Sequence, residues 1–163
     1  MNDFKDALTV VPMSRAQAEA CCSWVYASPY DRIYGWLPFS QMEALGIELG
    51  DSDVRQQQYV SVLDAEGALC GFAQLFPMVN AVRLGIGMRP DLCGQGLGKS
   101  FVHAVVHAAK ERYPDLPIDL EVQDWNERAI RTYLKAGFVV TDTYDKHTPE
   151  GIGRFHCMTY EGD

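Results

Sequence analysis

Three glycines at alternate positions, Gly94, Gly96 and Gly98, lie in the run Cys93-Gly-Gln-Gly-Leu-Gly-Lys99. Glycine has no side chain and tolerates φ > 0, so successive backbone N–H groups in such a run can turn into one concavity. An extended run, Val82-Arg-Leu-Gly-Ile-Gly-Met88, precedes it and stops at Arg89-Pro90. An amphipathic segment follows from Leu97 to about Tyr113. A helix starting there adds unpaired N–H groups and the positive end of its dipole. Strand, glycine loop and helix in this order bind an anion, most often a phosphate. Lys99 either adds charge to that site or is a solvated helix residue. Cys93 precedes the loop and has no His beside it in sequence, so it reads as a spectator thiol rather than a nucleophile.

Three phosphate loops compete for this stretch. The pattern G-x-x-x-x-G-K-[ST] is matched at its end by Gly98-Lys99-Ser100, but its first glycine falls on Cys93. The dinucleotide pattern G-x-G-x-x-G fails too. Started at Gly94 it puts Lys99 at the third glycine, and started at Gly85 it puts Pro90 there. The run Cys93-Gly-Gln-Gly-Leu-Gly98, with Pro90 ahead of it, resembles the third: the pyrophosphate loop of the GCN5-related N-acetyltransferases, [QR]-x-x-G-x-[GA]. Cys93 stands where that family usually has Arg or Gln, which leaves the backbone donors in place.

A second stretch supports the same resemblance. Leu120 to Phe138 is similar to the family pattern V-x-x-x-N-x-x-A-x-x-x-Y-x-x-x-G-F. Val122, Asn126, Ala129, Tyr133, Gly137 and Phe138 all fall in register. The resemblance covers Leu69 to Phe138. It implies an α/β (α+β) fold: a mixed, mostly antiparallel sheet with helices on both faces. Its central parallel pair, Val82–Met88 and Ile118–Val122, splays into a V that takes acetyl-CoA as co-substrate. Ile86, Gly87 and Met88 then meet the pantetheine. The backbone around Gly94, Gln95, Gly96, Leu97, Gly98 and Lys99 holds the pyrophosphate. Asn126 contacts pantetheine or acceptor, and Tyr133 lies by the thioester sulfur and protonates the departing thiolate. Asn126 and Tyr133 are seven residues apart, so a helix puts them on one face. Their plainer roles are an N-cap and a packing ring.

The general base is the least defined part. Many relatives carry Glu early in the first of the two strands, where this chain has Arg83. Glu121 is the candidate, because it alternates with Ile118, Leu120 and Val122 off the apolar face of its strand. The plainer reading is a surface or ion-paired carboxylate. The backbone N–H of Met88 is a candidate oxyanion donor. Gly85 and Gly87 inside a strand suggest a bulge or a close approach, and the bulge is expected. Tyr26, Tyr30, Tyr34 and Trp36 with Asp31 form either an acceptor pocket that attracts a cation or core beneath a loop.

The elements that must position these groups follow from pattern. Ala7–Met13 reads as a strand. Ser14-Arg-Ala-Gln17 has capping-box spacing and starts a helix to about Tyr26, broken at Ser28–Asp31. A helix is expected from Ser40 to about Gly46, then an acidic loop over Glu48–Asp53. Strands Gln57–Leu63, Leu69–Met78 and Val82–Met88 form a meander, with a hairpin turn at Asp64–Gly67. A helix-linked strand at Ile118–Val122 pairs in parallel with Val82–Met88. Asn126 caps a helix over Glu127–Ala136 that Gly137 ends. Strands Phe138–Tyr144 and Arg154–Tyr160 close the chain around a polar loop, Asp145–Gly153. His103 and His107 have metal-pair spacing but share a face with lysines and find no third ligand, so no metal is expected.

The 163 residues fit one domain, residues 1–163. A net charge of −8 argues against a nucleic-acid partner and suits an amine substrate or simple solubility. Five cysteines without a C-x-x-C pair suggest reduced thiols and a cytoplasmic protein. The opening Met1-Asn-Asp-Phe-Lys has no leader pattern, and no apolar run reaches membrane-span length. The expected activity is acetyl-CoA-dependent N-acetyl transfer to a small-molecule or protein amine, by a monomer or homodimer without metal. The alternatives are a non-catalytic acyl-CoA-binding regulatory module and, behind it, a P-loop NTPase.

Overall fold

The computed structural model describes residues 8–33 and 35–162. Seven strands make one sheet: β1 Thr9–Pro12, β2 Tyr59–Leu63, β3 Leu69–Pro77, β4 Val82–Met88, β5 Ile118–Gln123, β6 Phe138–Thr148 and β7 Gly151–Tyr160. Their spatial order is β1-β2-β3-β4-β5-β7-β6, and every neighbouring pair is antiparallel except β4 and β5. Among the described residues five α-helices join them: α1 Arg15–Cys22, α2 Phe39–Leu45, α3 Ser52–Gln58, α4 Gly98–Arg112 and α5 Glu127–Ala136.

Side-chain alternation along the strands divides the core in two. Val60 and Val62 of β2 and Ala73 and Leu75 of β3 pack with Phe101, Val102 and Val105 of α4. Their neighbours Tyr59 and Phe72 turn to the other face, where they meet Ala18 and Cys21 of α1 and Phe39 and Met42 of α2. The sheet therefore carries helices on both faces. Among the described residues no helix is long and apolar enough to cross a membrane.

Several expectations hold at the level of single hydrogen bonds. Ser14 and Gln17 form the capping box of α1. Asp64 closes the β2–β3 turn by accepting from the N–H groups of Glu66 and Ala68 at 2.9 Å. Asn126 caps α5, accepting from Ala129 N at 3.3 Å, and Gly137 ends it at φ 110°.

Other elements differ. Helix α1 stops at Cys22 rather than near Tyr26, because Ser23 turns its hydroxyl back to Ala20 O (2.6 Å). Trp24 then packs against Phe72 at 6.3 Å between ring centroids. The stretch expected as acidic loop and early strand holds a helix, α3, so β2 begins at Tyr59 rather than Gln57. Asp51 nucleates it by accepting from Asp53 N and Val54 N, and Arg55 is buried with its guanidinium on Leu49 O (2.8 Å). Strands β6 and β7 run through the expected loop, pairing Asp145 with Arg154 and Thr148 with Gly151 across a two-residue turn.

The expected bulge in β4 is absent. The β3–β4 register runs unbroken from Pro77↔Val82 to Gly71↔Met88. Gly87 instead admits the Phe72 ring, which lies where a Cβ would stand. Gly87→Ala should therefore destabilise the fold by about 1–3 kcal/mol, the usual cost of overpacking. Urea unfolding would read this as a lower midpoint with an unchanged slope. An unchanged midpoint would mean that the Phe72 ring yields freely.

Candidate active site

The site begins where the parallel ladder ends. Strands β4 and β5 pair only at Val82↔Ile118, Arg83↔Asp119 and Leu84↔Leu120, although β4 continues to Met88 and β5 to Gln123. Beyond Leu84 the two strands separate, and a cavity of about 760 Å³ fills the gap. Arg89 N donates to Cys70 O of β3 at 2.8 Å. Strand alternation then turns the N–H and C=O of Met88 toward the β5 side. Tyr26 confirms this direction: its hydroxyl donates to Met88 O at 2.6 Å. Ile86 alternates to the same side as Met88, and Leu84, Gly85, Ile86 and Met88 all line the cavity.

The glycine loop closes one end. Gly94 has φ 76° and Gly96 φ 77°, both in the left-handed region, and a Cβ on either would meet open space. Gly94, Gly96 and Gly98 line the cavity. Leu97 precedes α4 and offers the helix no side-chain cap. The loop thus combines a left-handed backbone nest with an uncapped helix start, the arrangement that suits a pyrophosphate. The Gln95 amide bonds to Asp91 O, and Gln95, Leu97 and Lys99 do not line the cavity with their side chains. Cys93 is half-buried, its thiol directed to Met88 O and Arg89 O at 3.7 and 3.6 Å. Burial pushes that thiol up, so it stays neutral.

Helix α5 forms one wall. Asn126 is buried, and with Ala129 and Tyr133 it faces the cavity. The Tyr133 ring packs tilted against Phe138 at 5.9 Å, which fixes its plane. Burial pushes its phenol up to about 12, so it holds its proton throughout the neutral range. Arg128, Arg131 and Lys135 add positive charge along the same helix.

The floor carries the group expected as base. Glu121 lines the cavity, but its carboxylate is engaged by three partners. Lys146 Nζ lies 2.8 Å from Oε1, Arg83 Nη1 lies 3.2 Å from Oε1, and Tyr144 OH donates to Oε2 at 2.5 Å. Arg83 is itself held by Asp119 through two 3.0 Å hydrogen bonds. Burial acts to raise the Glu121 carboxyl. The Lys146 and Tyr144 hydrogen bonds and the charge of Arg83 outweigh it and hold the carboxyl below the ordinary value. Glu121 is an anion at neutral pH with little appetite for a proton.

One side of the cavity is aromatic. Tyr26, Tyr30 and Trp36 line the cavity, so these members of the predicted cluster face a pocket; Tyr34 lies outside the described residues. Tyr30 packs on Trp125 at 6.2 Å and under the Arg128 guanidinium at 3.7 Å. Arg32 lies over Trp125 at 4.9 Å and pairs with Glu150 at 3.5 Å. The segment between α1 and α2 thereby reaches both α5 and the β6–β7 turn.

Residues 16–138 match the acetyltransferase (GNAT) family model. The chain belongs to the GNAT acetyltransferase family. No curated protein matches it at a significant level. Among solved structures it is similar to a spermidine N-acetyltransferase SpeG chimera from Vibrio cholerae and hSSAT. That likeness has a TM-score of 0.73 at 16% identity, covering 94% of this chain and 95% of that one. It is also similar to a dodecameric structure of spermidine N-acetyltransferase from Vibrio cholerae. There the TM-score is 0.70 at 16% identity, with 94% and 93% covered. At that identity the likeness speaks for the fold, and the family model for the acetyltransferase class.

In this GNAT acetyltransferase, His103 departs from its expected place on a solvated face. Its Nε2 lies 2.8 Å from Ala136 O and ties α4 to the end of α5. His107 is exposed beside Glu111 at 3.1 Å. Among the described residues no three His, Cys, Asp or Glu side chains are grouped to hold a metal. Sequence reading missed Tyr144, Lys146, Gln74 and Phe72 as site residues. The first two lay in the segment around a supposed loop, and the others alternate on a strand that showed no chemical motif.

Proposed function

We propose that this protein transfers an acetyl group from acetyl-CoA directly to the primary amine of a small molecule. The observation that carries the reading is the parted β4–β5 cleft, with a left-handed glycine loop at one end and the Tyr133 phenol on its wall. The fit to acetyl-CoA rests on that loop. Gly94 and Gly96 open a cradle whose donors suit two phosphates, and the Met88 edge of β4 faces the cleft beside it.

Bound acetyl-CoA supplies the acyl thioester. The loop from Gly94 to Lys99 holds the pyrophosphate, and the backbone of Ile86 and Met88 with the side chain of Asn126 aligns the pantetheine, while Gly87, expected there too, turns its backbone groups to β3. The Met88 N–H is the donor for the thioester oxygen as charge develops there. As the amine nitrogen bonds to the carbonyl carbon and the C–S bond breaks, Tyr133, protonated at every working pH, gives its proton to sulfur. Glu121 faces the incoming ammonium as a fixed anion. Its depressed pKa makes it a group that orients the amine and relays its proton to water rather than keeping it. The spermidine N-acetyltransferase named for the structural neighbours supports a small-molecule amine as the acceptor class.

Calorimetric titration with acetyl-CoA, followed by thiol release across a panel of primary amines, tests this. Binding with thiol release for one amine class is the expected result. Binding without release from any amine would leave the acyl-CoA-binding module, and no binding would remove the reading.

A further inference from the structure

We infer that the acceptor is a singly charged primary amine on a short linker to an aromatic or comparably broad apolar body, and that polyamines are poor acceptors. The inference rests on the acetyl-transfer reading above and narrows its substrate class.

The acceptor end of the cleft has an apolar wall and a compensated floor. Trp36, half-buried, lines it together with the buried Tyr59 and Phe72, and the Trp36 ring stands edge-on to Phe72 at 6.0 Å. Across the sheet Tyr59 pairs with Gln74 and Gln74 with Gly85, which puts Gln74 and Gly85 between this wall and Glu121 on β5. A Cβ on Gly85 would stand within 3.5 Å of Gln74, so the missing side chain leaves the floor low between the aromatic wall and the carboxylate. A broad apolar body fits against Trp36, which keeps accessible surface, while its amine reaches Glu121.

Charge decides against a polycation. Among the described residues lining the cavity, the carboxylates are Glu121 and Glu150. Glu121 already faces Lys146 at 2.8 Å and Arg83 at 3.2 Å, and Glu150 faces Arg32 at 3.5 Å. Arg128, Arg131 and Lys135 line the cavity as well. One ammonium finds the carboxylate edge of Glu121 and the half-buried Trp36 ring, which favours a cation. A second or third ammonium finds guanidinium and lysine neighbours with no anion left to pair. The net charge of −8 draws cations to the protein as a whole, but the cleft itself does not hold the acids that a polyamine needs.

The test uses the full chain at saturating acetyl-CoA with 2-phenylethylamine and spermidine as acceptors, after calorimetry has established acetyl-CoA binding. The expected result is a kcat/KM for 2-phenylethylamine at least ten times that for spermidine. Lys146→Gln relieves Glu121 of one cation and should narrow that ratio several-fold by raising turnover of spermidine. Equal or better use of spermidine by the unaltered protein overturns the inference. So does acetyl-CoA binding without thiol release from either amine, which leaves the acetyl-CoA site standing. Failure to bind acetyl-CoA overturns instead the reading on which the inference rests. A ratio unmoved by Lys146→Gln would remove the Glu121 network from acceptor selection.

Discussion

Tyr133→Phe is expected to lower kcat about 100-fold, within the range that a positioned general acid supplies. It should leave the dissociation constant for acetyl-CoA within about two-fold, because the interaction lost is one with the departing sulfur rather than with the bound thioester. The structure makes this a clean substitution. The Tyr133 ring is fixed by Phe138 at 5.9 Å, a contact that phenylalanine keeps. Among the described residues no group hydrogen-bonds its hydroxyl, so removal orphans no partner. The pH profile adds a second readout. With its phenol pushed up to about 12, Tyr133 stays protonated across neutral pH. It should therefore contribute no descending limb to kcat below about pH 10. A descending limb near neutrality that vanishes in the variant would contradict burial as the controlling influence. Unchanged kcat, measured by thiol release at saturating amine, would take Tyr133 out of the mechanism.

How much of this was legible in the sequence depended on how local the physics was. The α5 cap at Asn126, its end at Gly137 and the turn at Asp64 are decided within five residues, and each forms as its pattern demands. The glycine loop is equally local, since only a left-handed backbone at Gly94 and Gly96 makes the nest. Helix α3 was hidden because Ser-Asp-Val-Arg-Gln-Gln-Gln has no apolar stripe. Its one signal was Asp51, which caps it. The β6–β7 arm was hidden because Asp145, Lys146 and His147 are polar on successive positions, so the strand shows no alternation until its partner is known. The state of Glu121 could not be read at all. Its partners lie 38, 23 and 25 positions away, at Arg83, Tyr144 and Lys146, and only the sheet order brings those strands together. The same holds for the Tyr26 clamp on Met88, which spans 62 positions. Motifs named the residues that line the cleft, and long-range pairing set the charge state around them.

Gly96→Val separates the loop's two roles, backbone conformation and ligand capture. Gly96 has φ 77°, where a β-branched residue is a genuine outlier. A Cβ there meets nothing within 4 Å, so the substitution creates no clash. The chain then either retains the strained conformation, at about 1–3 kcal/mol, or relaxes toward negative φ. Relaxation is the easier course, because the loop is exposed and packs on little at this point. It turns the adjacent N–H groups out of the concavity. A hydrogen bond to a charged group contributes about 1.5–3 kcal/mol, so losing one should raise the acetyl-CoA dissociation constant at least about tenfold. Thermal unfolding without ligand should shift by only a few degrees, since no core contact changes. The two variants thus divide the cleft. Gly96→Val costs affinity with little effect on kcat once acetyl-CoA saturates, and Tyr133→Phe costs kcat with little effect on affinity. An unchanged dissociation constant in Gly96→Val would place the phosphates elsewhere than the loop. An equal loss of kcat at saturation would mean that the loop also sets where the thioester lies against Met88, because a pyrophosphate displaced at one end of the cleft carries the pantetheine along β4 with it.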